Sequence, residues 1–121
     1  MSLIRSGLIL MMMVGICVIV TDGLYAFDEA HLEKLKTTKE CQACDLTKAD
    51  LSRADLKGAK LMDAKLNGAN LEGADLTNAM LYFADLTGAN IKGAKFSGAQ
   101  LTNATWPDGH SCDLKSRGRC K

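Results

Sequence analysis

An all-β solenoid is the fold this sequence predicts, and two observations predict it. From Cys44 to Asp108 the chain divides without a gap into five-residue words: CDLTK ADLSR ADLKG AKLMD AKLNG ANLEG ADLTN AMLYF ADLTG ANIKG AKFSG AQLTN ATWPD. Inside each word, position one is Ala (Cys44 in the first word), position three is Leu or another large apolar residue, and positions two, four and five are mostly polar or Gly. A period of five fits no straight element, because a helix repeats near 3.6 and a strand near 2. Each word reads instead as a short extended piece whose first and third side chains point inward, with a bend before the next. A chain that bends the same way at regular intervals winds into coils, and successive coils pair as parallel strands about 4.8 Å apart.

The A-(D/N)-L-x-x words resemble the pentapeptide-repeat family over residues 44–108, more than half of the chain. The resemblance implies a right-handed quadrilateral parallel β-helix with four words to a coil and the Ala and Leu positions inside. The words then make about three coils, a rod about 15 Å long by the strand spacing. On that geometry residues twenty apart stack, giving inner columns Leu46, Leu66, Leu86, Trp106; Leu51, Leu71, Ile91; Leu56, Leu76, Phe96; and Leu61, Leu81, Leu101. Burying each such side chain is worth roughly 1.5 to 3 kcal/mol, and the entropy of ordering the chain offsets most of the sum. A rod this short depends on its ends.

The segments around the repeat are read in order. Met1 to Ala26 is expected to be a signal peptide: Arg5 supplies an early cation, Gly7 to Val20 is a continuous apolar run, and cleavage is expected after Ala26. The run has h-region length and falls short of the roughly 18 to 20 residues a spanning helix needs. Leu24 is large for its place three residues before the scissile bond, so an uncleaved membrane anchor is the alternative. Cys17 follows Ile16, too bulky for a lipoprotein-type cleavage signal. Residues 27–43 are expected to cap the first coil, with Phe27, His31, Leu32 and Leu35 at near-helical spacing on a short amphipathic helix. Beyond the repeat, Trp106 replaces Leu, Pro107 is expected to stop ladder hydrogen bonding, and "DG" turns the chain into the tail 109–121.

Four cysteines remain after the expected cleavage, Cys41 and Cys44 at one end of the rod and Cys112 and Cys120 at the other. In an exported chain, periplasmic or secreted, local disulfides Cys41–Cys44 and Cys112–Cys120 are the expectation, each removing modest chain entropy of about 2 to 3 kcal/mol. A C-x-x-C redox centre at Cys41/Cys44 is the alternative, although such a motif normally opens a helix in a βαβ unit. Haem attachment requires His directly after the second Cys, where Asp45 stands. A four-cysteine zinc site requires both pairs to meet, and the rod separates them.

Composition narrows the function. The 121 residues carry a formal charge of +1, which speaks against a broad basic surface for nucleic acid. Some pentapeptide-repeat proteins mimic duplex DNA and bind type II topoisomerases, which the resemblance raises as an alternative here; that mechanism needs a long acidic rod in the cytoplasm. Residues 44–108 hold eight acidic and seven basic side chains on about three coils. No sequence signature ties His31 or His110 to a nucleophile, so no enzyme activity and no cofactor are expected. The second-position acids read as a solvated face, with Asp45, Lys65 and Asp85 stacking in alternating sign. One wall breaks the pattern: Met62, Met80, Tyr82 and Phe83 share its outer side, with Met80 where Asp or Asn is usual and Phe83 where Gly is usual. Such an apolar cluster marks a contact surface for a protein partner or a second copy, or is covered by a terminal segment.

Overall fold

The computed structural model describes residues 28–121, so the expected leader Met1–Ala26, with Cys17, and Phe27 lie outside the described residues. One helix, α1 (Glu29–Thr38), precedes a solenoid held by isolated parallel bridges. The bridges join residues twenty apart in four series: Glu40–Lys60–Met80–Gln100, Asp45–Lys65–Asp85–Thr105, Asp50–Asn70–Asn90 and Asp55–Asp75–Lys95. Four words therefore complete one lap, and each series runs up one wall.

The word Ala69–Gly73 shows why five residues suffice. The Ala69 amide donates to Leu66 O at 3.0 Å and closes the preceding turn. Asn70 N–H reaches back one lap to Ala49 O at 2.9 Å, while Leu71 and Gly73 reach forward to Asn90 O at 2.8 Å and Lys92 O at 2.9 Å. The remaining amide, Glu72, donates to the Asn70 side-chain Oδ1 at 3.1 Å. All five donors are paired, which a backbone folded around a dry interior requires. Gly73 sits at φ 68, the positive value that the third residue of a type II turn takes and that glycine adopts without strain.

The second-position carboxylates do more than face water. Asp50, Asp75 and Asp85 each accept from the amide two residues on at 3.0, 3.0 and 2.9 Å, and from the hydroxyls of Ser52, Thr77 and Thr87 at 2.6 Å. These are Asx turns, in which a short side chain completes the bend. The Ser52 hydroxyl and then its amide hold the Asp50 carboxyl below the usual carboxylate range, and those of Thr77 do the same for Asp75. Charge pairing is secondary: Asp45, Lys65 and Asp85 stack by backbone bridges without forming an ion pair with one another, and the pairs that do form, Lys57 with Asp75 at 3.7 Å and Lys39 with Asp55 at 3.4 Å, are surface pairs of the kind that contribute little.

Inside, the third-position leucines from Leu46 to Leu86, together with Leu101, are buried, as are most first-position alanines. Helix α1 closes the first lap. Asp28 caps it by accepting from Ala30 N at 2.9 Å, and Lys39, at φ 57, ends it by donating to Leu35 O. Leu35 is buried and Leu32 half-buried against the core, while His31 Nδ1 accepts the Asp45 N–H at 3.0 Å. With Nδ1 as acceptor, the ring proton sits on Nε2.

Both ends differ in detail from the sequence reading. Lys39–Ala43 forms a complete word ahead of Cys44: Cys41 N–H donates to Lys60 O and Ala43 N–H to Met62 O, each at 2.8 Å, and Ala43 takes φ 58. Lys39 in the Ala place and Cys41 in the Leu place hid it. At the other end Pro107 does not stop the ladder, because its carbonyl accepts from Gly88 N at 2.9 Å. The fourth amide of a word does not serve the ladder, so proline fits there. The ladder ends where the chain reverses and the tail pairs antiparallel, Ser111 with Thr105 and Arg117 with Gln100. Beside this tail, Phe96 and the half-buried Trp106 close the interior with ring centroids 5.2 Å apart.

Leu66→Ala leaves a cavity in the middle lap and is expected to cost about 2 to 5 kcal/mol of stability, read from denaturant unfolding. The lowered carboxylates set an acid limit. A depressed folded-state pKa contributes stability above the unfolded value, about 3.9 for Asp, and that contribution is lost as pH falls through the folded values. The thermal midpoint is therefore expected to be level above about pH 5 and to fall below about pH 4. The triple change Asp50→Asn, Asp75→Asn, Asp85→Asn keeps the Oδ1 acceptor, as Asn70 does natively, and is expected to flatten that acid slope in a circular dichroism titration.

Candidate interaction wall

The wall built from the words at 39–43, 59–63, 79–83 and 99–103 differs from the others at its corner. Its fifth positions are Ala43, Asp63, Phe83 and Asn103, at φ 58, 57, 58 and 58. On the other three walls glycine relieves most of these turns, with Gly68 and Gly88 beside Lys48, Gly73 and Gly93 beside Arg53, and Gly58 and Gly98 beside Asn78; Lys48, Arg53 and Asn78 take φ 61, 57 and 59. Here every turn carries a side chain in the left-handed region. That conformation costs roughly 1 to 2 kcal/mol for an ordinary L-residue, less for Asn or Asp, and a bulky Phe is an outlier there.

The four residues singled out from the sequence all lie on this wall. Met62 and Tyr82 occupy the fourth position one lap apart, Met80 lies on the bridge series between Lys60 and Gln100, and Phe83 N–H donates to Thr102 O at 3.2 Å. Met62, Met80 and Tyr82 are half-buried, whereas Phe83 is 59% exposed. A fifth residue, Leu114, was not legible in the repeat because it belongs to the tail. It is 77% exposed, its carbonyl accepts from the Thr102 hydroxyl at 3.3 Å, and it lines a shallow hollow with Tyr82, Gln100 and Thr102. The terminal tail thus borders the apolar patch and adds to it. Below the patch the wall turns polar, where Lys60 Nζ meets Glu40 Oε1 at 2.8 Å and holds the Glu40 carboxyl below its usual range.

The cysteines flank the same corner. Cys41 and Cys44 are joined, S–S 2.06 Å, across the turn that contains Ala43, and both residues are buried in the Leu and Ala slots of the coil. Cys112 and Cys120 are joined, S–S 2.00 Å, and the Cys112 backbone bridges Asn103 and Ala104 at the top of that corner. Burial of Cys41 and Cys44 denies an attacking thiolate the approach that a redox C-x-x-C requires. Among the described residues no group of three or more His, Cys, Asp or Glu is placed to hold a metal ion.

A family model described as pentapeptide repeats matches residues 40–78 and 69–105. No curated protein sequence matches the chain. Among solved structures, a pentapeptide repeat protein of the Arabidopsis thaliana thylakoid lumen is 33% identical, with a TM-score of 0.50, over 57% of this chain and 45% of that one. HetL, a pentapeptide repeat protein involved in heterocyst differentiation regulation in the cyanobacterium Nostoc sp. strain PCC 7120, is 33% identical with a TM-score of 0.41, over 60% of this chain and 36% of its own. A pentapeptide repeat protein from the cyanobacterium Cyanothece 51142 is 24% identical with a TM-score of 0.40, over 63% and 82%. The chain therefore spans less than half the length of the first two.

Phe83→Gly removes a bulky residue from a left-handed turn, and the backbone entropy of glycine offsets part of the gain. The expected result is unfolding stability equal to the parent or raised by about 0.5 to 1 kcal/mol, read from a denaturant melt.

Proposed function

The chain belongs to the pentapeptide-repeat family, and from that premise we propose that it is an exported, non-catalytic interaction module. Its rigid solenoid, right-handed and square in section as in the family, presents the wall of Met62, Met80, Tyr82 and Phe83 to a protein partner or to a second copy of itself. One observation carries this reading. Phe83 is held in a turn conformation that disfavours it and is left 59% exposed, and a strained, exposed aromatic residue persists where it serves a contact. Leu114 enlarges the same apolar surface, and the balanced charges of the repeat give a nucleic-acid or DNA-mimicking role no support.

Export is proposed on the leader-like Met1–Ala26 and on the paired cysteines, which persist in oxidising compartments. The lumenal location of the Arabidopsis protein is in keeping with it. The destination is the periplasm or the exterior, with no membrane contact after cleavage. Intact mass measured without reduction is expected to report a chain beginning at Phe27 with two closed disulfides.

The contact is tested with Tyr82→Ser combined with Phe83→Gly. The fold is expected to remain intact by circular dichroism, while self-association in sedimentation, or retention of a bound partner on parallel capture with the wild type, is lost. Unchanged behaviour in both assays removes the wall as the contact surface.

A further inference from the structure

The two disulfides stand in different chemical surroundings. The Cys120 Sγ lies 3.2 Å from His110 Nε2, and His110 Nδ1 is hydrogen-bonded to the Asp108 carboxylate. That carboxylate also accepts the His110 backbone N–H at 3.1 Å. The His110 amide and then its ring hold the Asp108 carboxyl below the ordinary range. An ionised Asp108 keeps the ring proton on Nδ1 and turns the Nε2 lone pair toward sulfur, the orienting arrangement by which a carboxylate readies an imidazole beside a nucleophile. Cys112 is buried at 1% exposure and Cys120 is half-buried, so the sulfur beside the imidazole is the one a reagent meets first. At the other end of the rod, Cys41 Sγ meets the His31 carbonyl oxygen at 3.1 Å, a partner that repels a thiolate instead of stabilising it.

We propose that Cys112–Cys120 is a thiol–disulfide exchange site in which Cys120 is the exchanging sulfur, His110 its base and Asp108 the residue that positions the base. The co-reactant is an external thiol, small or on a protein. Its thiolate attacks Cys120 Sγ, a new S–S bond forms there, and the electron pair of the old bond leaves on Cys112, which takes up a proton. A second thiolate attacks the external sulfur of this mixed disulfide, releasing the oxidised external disulfide and Cys120 as thiolate. His110 holds the second proton as imidazolium beside it. Two external thiols are oxidised and one protein disulfide is reduced; the reverse sequence oxidises the protein.

The charged groups around Cys120 are Asp108 and His110 from the turn after Trp106, the flanking Arg119 and Lys121, and Asp113, whose amide donates to Lys121 O at 3.2 Å. Arg119 and Lys121 are the chain neighbours of Cys120, and the Asp113 carboxylate accepts from Lys115 N and from the Ser116 hydroxyl, each at 3.0 Å.

The test uses the whole oxidised chain in a glutathione titration at neutral pH, with alkylation quenching and peptide mass spectrometry, so that Cys41–Cys44 is the control within each molecule. Cys112 and Cys120 are expected to be labelled while Cys41 and Cys44 remain oxidised. In the reduced protein Cys120 is expected to alkylate at about pH 6.5 roughly tenfold faster than an ordinary thiol of pKa about 8.5, and His110→Gln to abolish that advantage while leaving the rate at about pH 10 unchanged. Cys112→Ser, which leaves Cys120 as a single thiol beside an intact Asp108 and His110, gives the same profile without reduction and keeps the test independent of how His110→Gln folds. Equal reduction of both disulfides, or an ordinary thiol profile for Cys120 in Cys112→Ser, overturns the assignment. Neither result depends on the wall at Phe83.

Discussion

The lap-to-lap backbone ladder is the constraint on which every other feature depends. The interior is only as wide as facing leucine and alanine side chains, and polar backbone groups around it have to be paired within the protein. A five-residue word meets that demand with three amides to neighbouring laps and one to the turn before it, and where Asp or Asn holds the second position its side chain takes the fifth, as in Ala69–Gly73. Once residues twenty apart are fixed as neighbours, Leu lies over Leu and Ala over Ala. The apolar columns then follow from register and need no separate specification. The identity of the outer residues is left free, and it is there that the walls become different from one another.

The most distinctive of those differences is concentrated along a single corner. Ala43, Asp63, Phe83 and Asn103 follow one another up it, each with a side chain in a turn that suits glycine. A disulfide lies at either end: Cys41–Cys44 spans the lowest of these turns, and Cys112 bonds to Asn103 and Ala104 at the highest. Strained backbone persists only where its surroundings over-determine it, and a covalent closure at each end is a means of doing so. The two closures are not equivalent in chemistry. One is sealed inside the coil, and the other has an imidazole against its outer sulfur.

Sequence reasoning reached the parts of this structure that repeat. The period, the twenty-residue register, the inward leucines and the wall carrying Met62, Met80, Tyr82 and Phe83 were legible because each is a local pattern copied many times over. What escaped was whatever depends on a single folding event or on the geometry of an atom. Lys39–Ala43 is a word in conformation and hardly one in letters, since the ladder reads backbone and tolerates Cys41 in place of Leu. The role of Asp50 or Asp75 as turn closers is a matter of where Oδ1 points. Pro107 was misjudged because the amide it lacks is one the ladder never uses. Leu114 and the meeting of His110 with Cys120 come from the tail doubling back, which brings together residues whose spacing carries no periodic signal.

Because helix α1, the two disulfides and the apolar patch are each assigned to particular sides of the rod, chain length is quantised. Inserting or deleting a whole block of twenty residues lengthens or shortens the molecule and leaves the top facing the same way as the bottom. A gain or loss of five swings everything downstream by a quarter revolution and carries the reversed tail to a different side from the aromatic residues it borders. Such a solenoid therefore tolerates drift in its outer letters far better than a slip in its count.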